Sequence, residues 1–406
     1  MPITSSRGGW PAGLLGMLAL VAGIERSVAK HSEKFTTFHA AAWRESGRSI
    51  ELAARSRVVA FGDSLLKYGL IPPVAAGRAG RTVANLAVPA GLFPGHDALL
   101  RRLFATGATF DAILVDGELL ADDPFRNRRI WSEMMSLAEC VELARVGRNP
   151  DFLASVALAK LLPTFNARDE VCLSITTAFD GHLPPEASAL PIIKRNWRRN
   201  GSAEVRPDRD DPPGQDPRAA ELAAADYRPA HWACHPVNDV FVNRFLDRAQ
   251  ARGVPVVWLL PPYHPGVEER RGKYGHYAKY LDYLKRLIDR YPNVLVIAGR
   301  GAEYPAGALF DMTHLSRTGA ITYSDAVGGV LRDLLGRADR PRWVPLPKYD
   351  AASAKALAAA SPVEDLNTSG RELAKVMEGV ARRRLDRDRD RGLARNANPA
   401  ERPVRR

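Results

Sequence analysis

The sequence predicts a doubly wound α/β domain of three layers, with a parallel sheet held between two layers of helix. Five short apolar runs rich in Val, Ile and Leu stand along the chain without the polar alternation of a half-exposed strand. Amphipathic stretches with helical spacing separate them. Runs and stretches alternate in the order that strand–helix–strand crossovers require.

In chain order the strands are expected in RVVAF (57–61), TVANLA (82–87), AILVD (112–116), PVVWLL (255–260) and NVLVIA (293–298). HDALLRRLFATG (96–107), NDVFVNRFLDRAQARG (238–253) and KYLDYLKRLIDRY (279–291) read as helices against them, and another amphipathic helix closes the domain. The third and fourth runs lie about 140 residues apart, far more than one crossover needs. In that gap RIWSEMMSLAECVELARV (129–146) and DFLASVALAKLL (151–162) read as helices. Residues 196–221, rich in Pro, Asp and Arg, read as a flexible loop. The expected layout is a domain over 57–340 of about five parallel strands, carrying an insertion at 118–235 and preceded by a helical linker at 32–56.

Both ends differ in character from this body. Gly8 to Ile24 carries no charge, which is close to the shortest apolar stretch that spans a bilayer, about 17 residues. Residues 1–31 are therefore expected to be a membrane anchor or a signal segment, with Ser27-Val28-Ala29 offering a cleavage site and Glu25 and Arg26 weighing against cleavage. The expected location is at a membrane, held by one N-terminal helix, with the body outside the cytoplasm as a signal-like origin implies. The chain ends in a basic segment, 341–406, expected to be disordered. From Arg371 to Arg406 it holds 12 basic and 6 acidic residues, half of the net charge of +12. No zinc-finger spacing or aromatic RNA-binding motif accompanies that charge, so a nucleic-acid partner is not expected. Cys140, Cys172 and Cys234 are too sparse for a disulfide framework. His231, Cys234 and His235 stand close in HWACHP but lack a second ligand cluster, so neither a metal nor a cofactor is expected.

Three residues carry the chemistry. Ser64 follows the first run in FGDSL, and Asp311 and His314 follow the fifth in LFDMTHLSRTGA. A parallel sheet would put all three beyond the carboxyl ends of its strands, where ligand sites of open α/β folds form. Acyl transfer needs a hydroxyl, an imidazole to take its proton and a carboxylate to orient the imidazole. Ser64 also reads as an ordinary helix cap, Asp63 as a turn or cap residue, and His264 in PPYHPG as a loop residue at the same sheet edge.

FGDSL and DMTHLSRTGA resemble the first and last sequence blocks of the SGNH, or GDSL-type, esterase/lipase family. The resemblance covers roughly 57–120 and 253–337. It implies a flavodoxin-like fold with Ser64 as nucleophile, His314 as base and Asp311 as orienting carboxylate. It also implies an oxyanion hole of the Ser64 N–H, a glycine N–H from a second block and an asparagine side chain from a third. NLAVPAGLF (85–93) matches the second block, with Gly91 as the glycine and Ala90 the lesser candidate. The third block departs from the pattern: Gly-x-Asn-Asp is replaced by Gly117-Glu118-Leu119-Leu120. Leu119 cannot donate a hydrogen bond, and a charged Glu118 would repel an oxyanion. Losing one such donor costs about 10²–10³ in rate. Asn85 and Asn127 are the candidates to replace it, and Glu118, Asp122 and Asp123 read as a solvated loop. The resemblance implies an esterase acting on an acyl ester, which an envelope location would make an ester on a polysaccharide. Two other readings use the same residues: an O-acyltransferase, and a glycan-binding or assembly protein with a decayed site.

Overall fold

Every apolar run forms a strand: β1 (Val58–Phe61), β2 (Val83–Asn85), β3 (Ala112–Val115), β4 (Val256–Leu260) and β5 (Val294–Ala298). The computed structural model describes residues 12–32, 35, 38–172, 194–195, 205–210, 232–273, 275–337 and 339–365. A sixth strand, β6 (Trp343–Pro345), adds to the edge beside β5, pairing Val296 with Trp343. It lies in the segment assigned above to a disordered tail. Its three residues, with Trp343 and Pro345 exposed and a proline as only an edge strand tolerates, contain no apolar run to read. After it, the helix Ala351–Ala360 buries Ala354 and Ala358 against the body, so the ordered domain runs past the expected boundary at 340. The tail from 366 onward lies outside the described residues.

The sheet order is β2-β1-β3-β4-β5-β6 and every neighbouring pair is parallel. The chain winds outward from β1 to β2, then crosses back to β3 on the other side of β1. The connections diverge there, leaving a crevice at the carboxyl ends of β1 and β3. Successive strand residues alternate between two cores, which explains why the runs are apolar throughout. Val59, Phe61, Ile113, Val115 and Trp258 face the helices Phe93–Ala105, Pro236–Ala251 and His276–Arg290. Val58, Ala60, Leu114, Val257 and Leu259 face Pro72–Ala79 and Arg317–Leu334.

The helices Phe38–Arg48 and Ile50–Ala53 replace the expected linker with a covering layer. Ala40, Ala41, Trp43, Ile50 and Ala53 are buried in the same core as Phe61. Within the insertion, the stretch 129–146 is two helices rather than one, Arg128–Met134 and Leu137–Gly147. Ser136 divides them: its hydroxyl accepts from Glu139 N–H while Glu139 Oε2 accepts from Ser136 N–H, a capping box that starts a helix afresh. DFLASVALAKLL lies in the helix Pro150–Leu161. Of the proline-rich stretch 196–221, only 205–210 fall among the described residues.

The apolar N-terminal stretch forms the helix Ala12–Lys30, with Leu14, Leu15, Leu18, Leu20 and Ile24 exposed. No helix among the described residues is long and apolar enough to cross a membrane. The first part of that stretch, 8–11, lies outside them.

Candidate active site

Ser64 opens a helix, Ser64–Gly69, directly after β1. Two residues make the junction: Gly62 turns the chain, and Asp63 caps the helix by accepting the Leu65 N–H at 2.7 Å. A Cβ on Gly62 would stand 2.3 Å from Asp116 Oδ2, so no larger residue fits without movement. Asp116, just past β3, accepts the Asp63 N–H at 3.3 Å on both carboxylate oxygens. Burial pushes the Asp116 carboxyl well above the ordinary carboxylate range, and the nearby charge of Asp63 pushes it the same way.

Asp311 and His314 lie in the turn between β5 and the helix Arg317–Leu334. Asp311 Oδ1 accepts the backbone N–H groups of Thr313 (2.9 Å) and His314 (2.8 Å), which folds the three-residue spacing into a tight loop. Its other oxygen, Oδ2, lies 2.7 Å from His314 Nδ1. His314 Nε2 in turn lies 2.8 Å from Ser64 Oγ. Burial alone would raise the Asp311 carboxyl, but its bonds to the His314 ring and to the two N–H groups outweigh this and hold it far below its usual range. An ionised Asp311 fixes the His314 proton on Nδ1 and leaves Nε2 as an acceptor toward the serine. Tyr68, one helical turn beyond Ser64, meets the His314 ring edge-on at 5.4 Å and fixes its plane. The side chains of Ser64 and His314 remain partly accessible.

The oxyanion side differs from expectation in three places. Gly91 N–H is already engaged, donating to Val88 O at 2.9 Å in a turn. Its glycine is required for another reason: a Cβ there would stand 2.5 Å from Gly62 O and 2.9 Å from His96 Nε2. Ala90 instead holds a left-handed backbone, φ 57°, rare for a residue with a side chain, and is exposed. Among the described residues neither Ala90 N–H nor Ser64 N–H has a hydrogen-bond acceptor. Asn85 is no replacement donor, because Nδ2 bonds the carbonyls of Leu66 (2.9 Å) and Leu70 (3.0 Å) beneath the helix of Ser64. Asn127 is exposed and its oxygen caps the helix Arg128–Met134 by accepting the Arg129 N–H.

Glu118, expected in a solvated loop, is buried. It pairs with Arg271 and, at 2.7 Å, with Arg300, whose side chain is only 2% exposed. Two arginine charges therefore face the one carboxylate and more than offset its charge.

Two residues that sequence reasoning missed support the Ser64 turn. Asp116 offered a signal, as a carboxylate closing an otherwise apolar strand. His96 offered none: it sits fully buried on the helix Phe93–Ala105 with Nε2 3.3 Å from Gly62 O. Burial lowers its pKa to about 4, so at neutral pH it is an uncharged donor. His264 donates its N–H to Met312 O at 3.3 Å, within the loop of Asp311 and His314. Cys234 is a buried-type thiol pushed up to about 12 by desolvation, and His235 caps the helix Pro236–Ala251; His231 lies outside the described residues. No group of three or more His, Cys, Asp or Glu side chains suited to a metal occurs among the described residues.

Neither the models of known protein families nor the curated proteins match this chain.

Proposed function

We propose that the chain is a serine esterase of SGNH type that cleaves an acyl ester through an acyl-enzyme. One observation carries this: the unbroken series Ser64 Oγ, His314 Nε2, His314 Nδ1, Asp311 Oδ2, with contacts of 2.8 and 2.7 Å, assembled from residues about 250 positions apart. His314 Nε2 takes the hydroxyl proton as Ser64 Oγ attacks the ester carbonyl carbon. Asp311 steadies the imidazolium that results. The carbonyl oxygen becomes an oxyanion, held by the N–H groups of Ser64 and Ala90. Collapse breaks the carbon–oxygen bond, and the alcohol leaves with the proton from His314. Water then enters, gives its proton to His314 and releases the acid, returning the proton to Ser64.

A non-catalytic reading has one observation in its favour, Leu119 in place of the third oxyanion donor. We also propose that the exposed apolar side chains of Ala12–Lys30 hold the protein at a membrane and that an envelope polysaccharide ester is the substrate class. A fluorophosphonate probe and p-nitrophenyl acetate, applied to the wild type and to Ser64→Ala, test the reading. Labelling and turnover that vanish in the variant, a loss of about 10⁴-fold or more in kcat/KM, support it. Equal labelling in both proteins, or none in either, overturns it. Turnover redirected from free acetate to an added glycan would make the enzyme a transferase.

A further inference from the structure

A cationic side chain, Arg206, stands beside this site and forms no ion pair among the described residues. Residues 205–210 of the long insertion return to the loop of Asp311 and His314 and are tied there. Val205 is buried in the core next to the helix Arg317–Leu334. Arg206 forms an isolated parallel bridge with Ser316, two residues after His314. Asp208 accepts from Thr318 N–H and Thr318 Oγ1, both at 2.8 Å, closing the first turn of that helix. A segment held at three points does not place its side chains by chance.

Between the anchors, the Arg206 guanidinium lies over the Tyr68 ring at 4.2 Å and near the Phe310 ring at 5.3 Å. Tyr68 is the residue one turn from Ser64 and edge-on to His314. One ring therefore lies between Arg206 and the imidazole of His314. No carboxylate among the described residues pairs with Arg206, and its Nε is buried without a partner. Nearby, desolvation opposes protonation of His39 first, and Arg206 adds to it. The other arginines close to the site differ: Arg271 and Arg300 are paired with Glu118.

We infer that Arg206 selects the substrate of this site, binding a carboxylate that the ester carries a few bonds from its scissile carbonyl. The inference rests on Ser64 being the nucleophile. A guanidinium stacked on two rings keeps its planar edge oriented, and that edge matches a carboxylate through two parallel N–H···O bonds. Stacking alone would explain its contact with Tyr68 but not a guanidinium that forms no ion pair among the described residues and lies on the ring that meets His314. The carboxylate can belong to either half of the ester, a dicarboxylic acyl group or a uronic-acid alcohol.

Two matched pairs of esters distinguish these sources. Monoethyl succinate against ethyl butyrate places the charge in the acyl half. O-acetylated methyl glucuronide against O-acetylated methyl glucoside places it in the alcohol half. For each pair the readout is the ratio of kcat/KM for the anionic to the neutral ester, in wild type, Arg206→Gln and Arg206→Lys. A fall of about ten- to hundredfold in one ratio with Gln, partly restored by Lys, supports the inference and names the half recognised. Ser64-dependent turnover with both ratios unchanged in Arg206→Gln overturns it and leaves the nucleophile reading intact. Absence of any Ser64-dependent turnover overturns both. A variant that fails to fold shows itself by losing fluorophosphonate labelling, and the Lys variant then carries the comparison.

Discussion

The turns after β1 and β3 leave neighbouring parallel strands at the same edge of the sheet, yet they handle polar groups in opposite ways. After β1 the supporting groups grip the backbone: Asp63 caps, Asp116 accepts an N–H, and His96 and Val88 N–H both meet Gly62 O. The Ser64 side chain is left pointing into the crevice. After β3 the side chain itself is consumed, because Glu118 is held inside by Arg271 and Arg300. Leu119 offers nothing to replace the polar group that Glu118 has withdrawn. One turn leaves its side chain at the sheet edge and its neighbour withdraws one, so the polar side chains that meet there come from the turn after β1 and the loop after β5.

The largest effect is expected in the loop after β5. Asp311→Asn removes the carboxylate that orients His314 while keeping its shape, and kcat should fall about 10³–10⁴-fold with little change in thermal stability. A smaller loss, measured with p-nitrophenyl acetate, would mean that the loop backbone alone orients the ring. After β3, Glu118→Ala leaves Arg300 buried without its partner. Unfolding in urea should show a loss of about 3–5 kcal/mol, against a small change if the pair were on the surface.

The groups beneath the Ser64 turn also set how stability depends on pH. The folded-state pKa of His96 lies near 4, below its ordinary value of 6.5. Between these values the unfolded chain binds the proton more readily, so this residue's contribution is complete above about pH 6.5 and is lost as pH falls toward 4. That contribution is about 3 kcal/mol, and His96→Gln should remove it from a urea series run between pH 4 and 7. Asp116, raised by its burial, acts with the opposite sign and weakens the fold as pH rises above the ordinary carboxylate range. The smallest effect is expected at Ala90. Ala90→Gly relieves a left-handed residue and should raise stability by at most about 1 kcal/mol, readable as a shift in the urea midpoint.

Five of six strands were legible because a strand buried on both faces must be apolar at every position, and that demand writes itself into consecutive residues. Trp343–Pro345, at a solvent-facing edge, escapes the demand and was invisible. The break inside 129–146 has a local signal too, the Ser136-x-x-Glu139 capping box, which hydrophobic spacing alone does not register. Ser64, Asp311 and His314 were legible because each lies in a short local pattern, Ser64 at the end of β1 and the other two just before the helix Arg317–Leu334. Gly91 was recognised as special, but the amide left without an acceptor belongs to Ala90, since which N–H a turn consumes depends on its dihedral angles.

Local spacing thus settles the order of strands and helices and which side chains stand at the carboxyl ends of the sheet, since hydrophobic periodicity and capping act within a few residues. It says nothing of Arg206 against Tyr68, of Glu118 between two arginines, or of Asp116 and His96 under the Ser64 turn. Those contacts join residues from about 30 to 180 positions apart, and their charge, burial and pairing exist only once the layers have closed on one another.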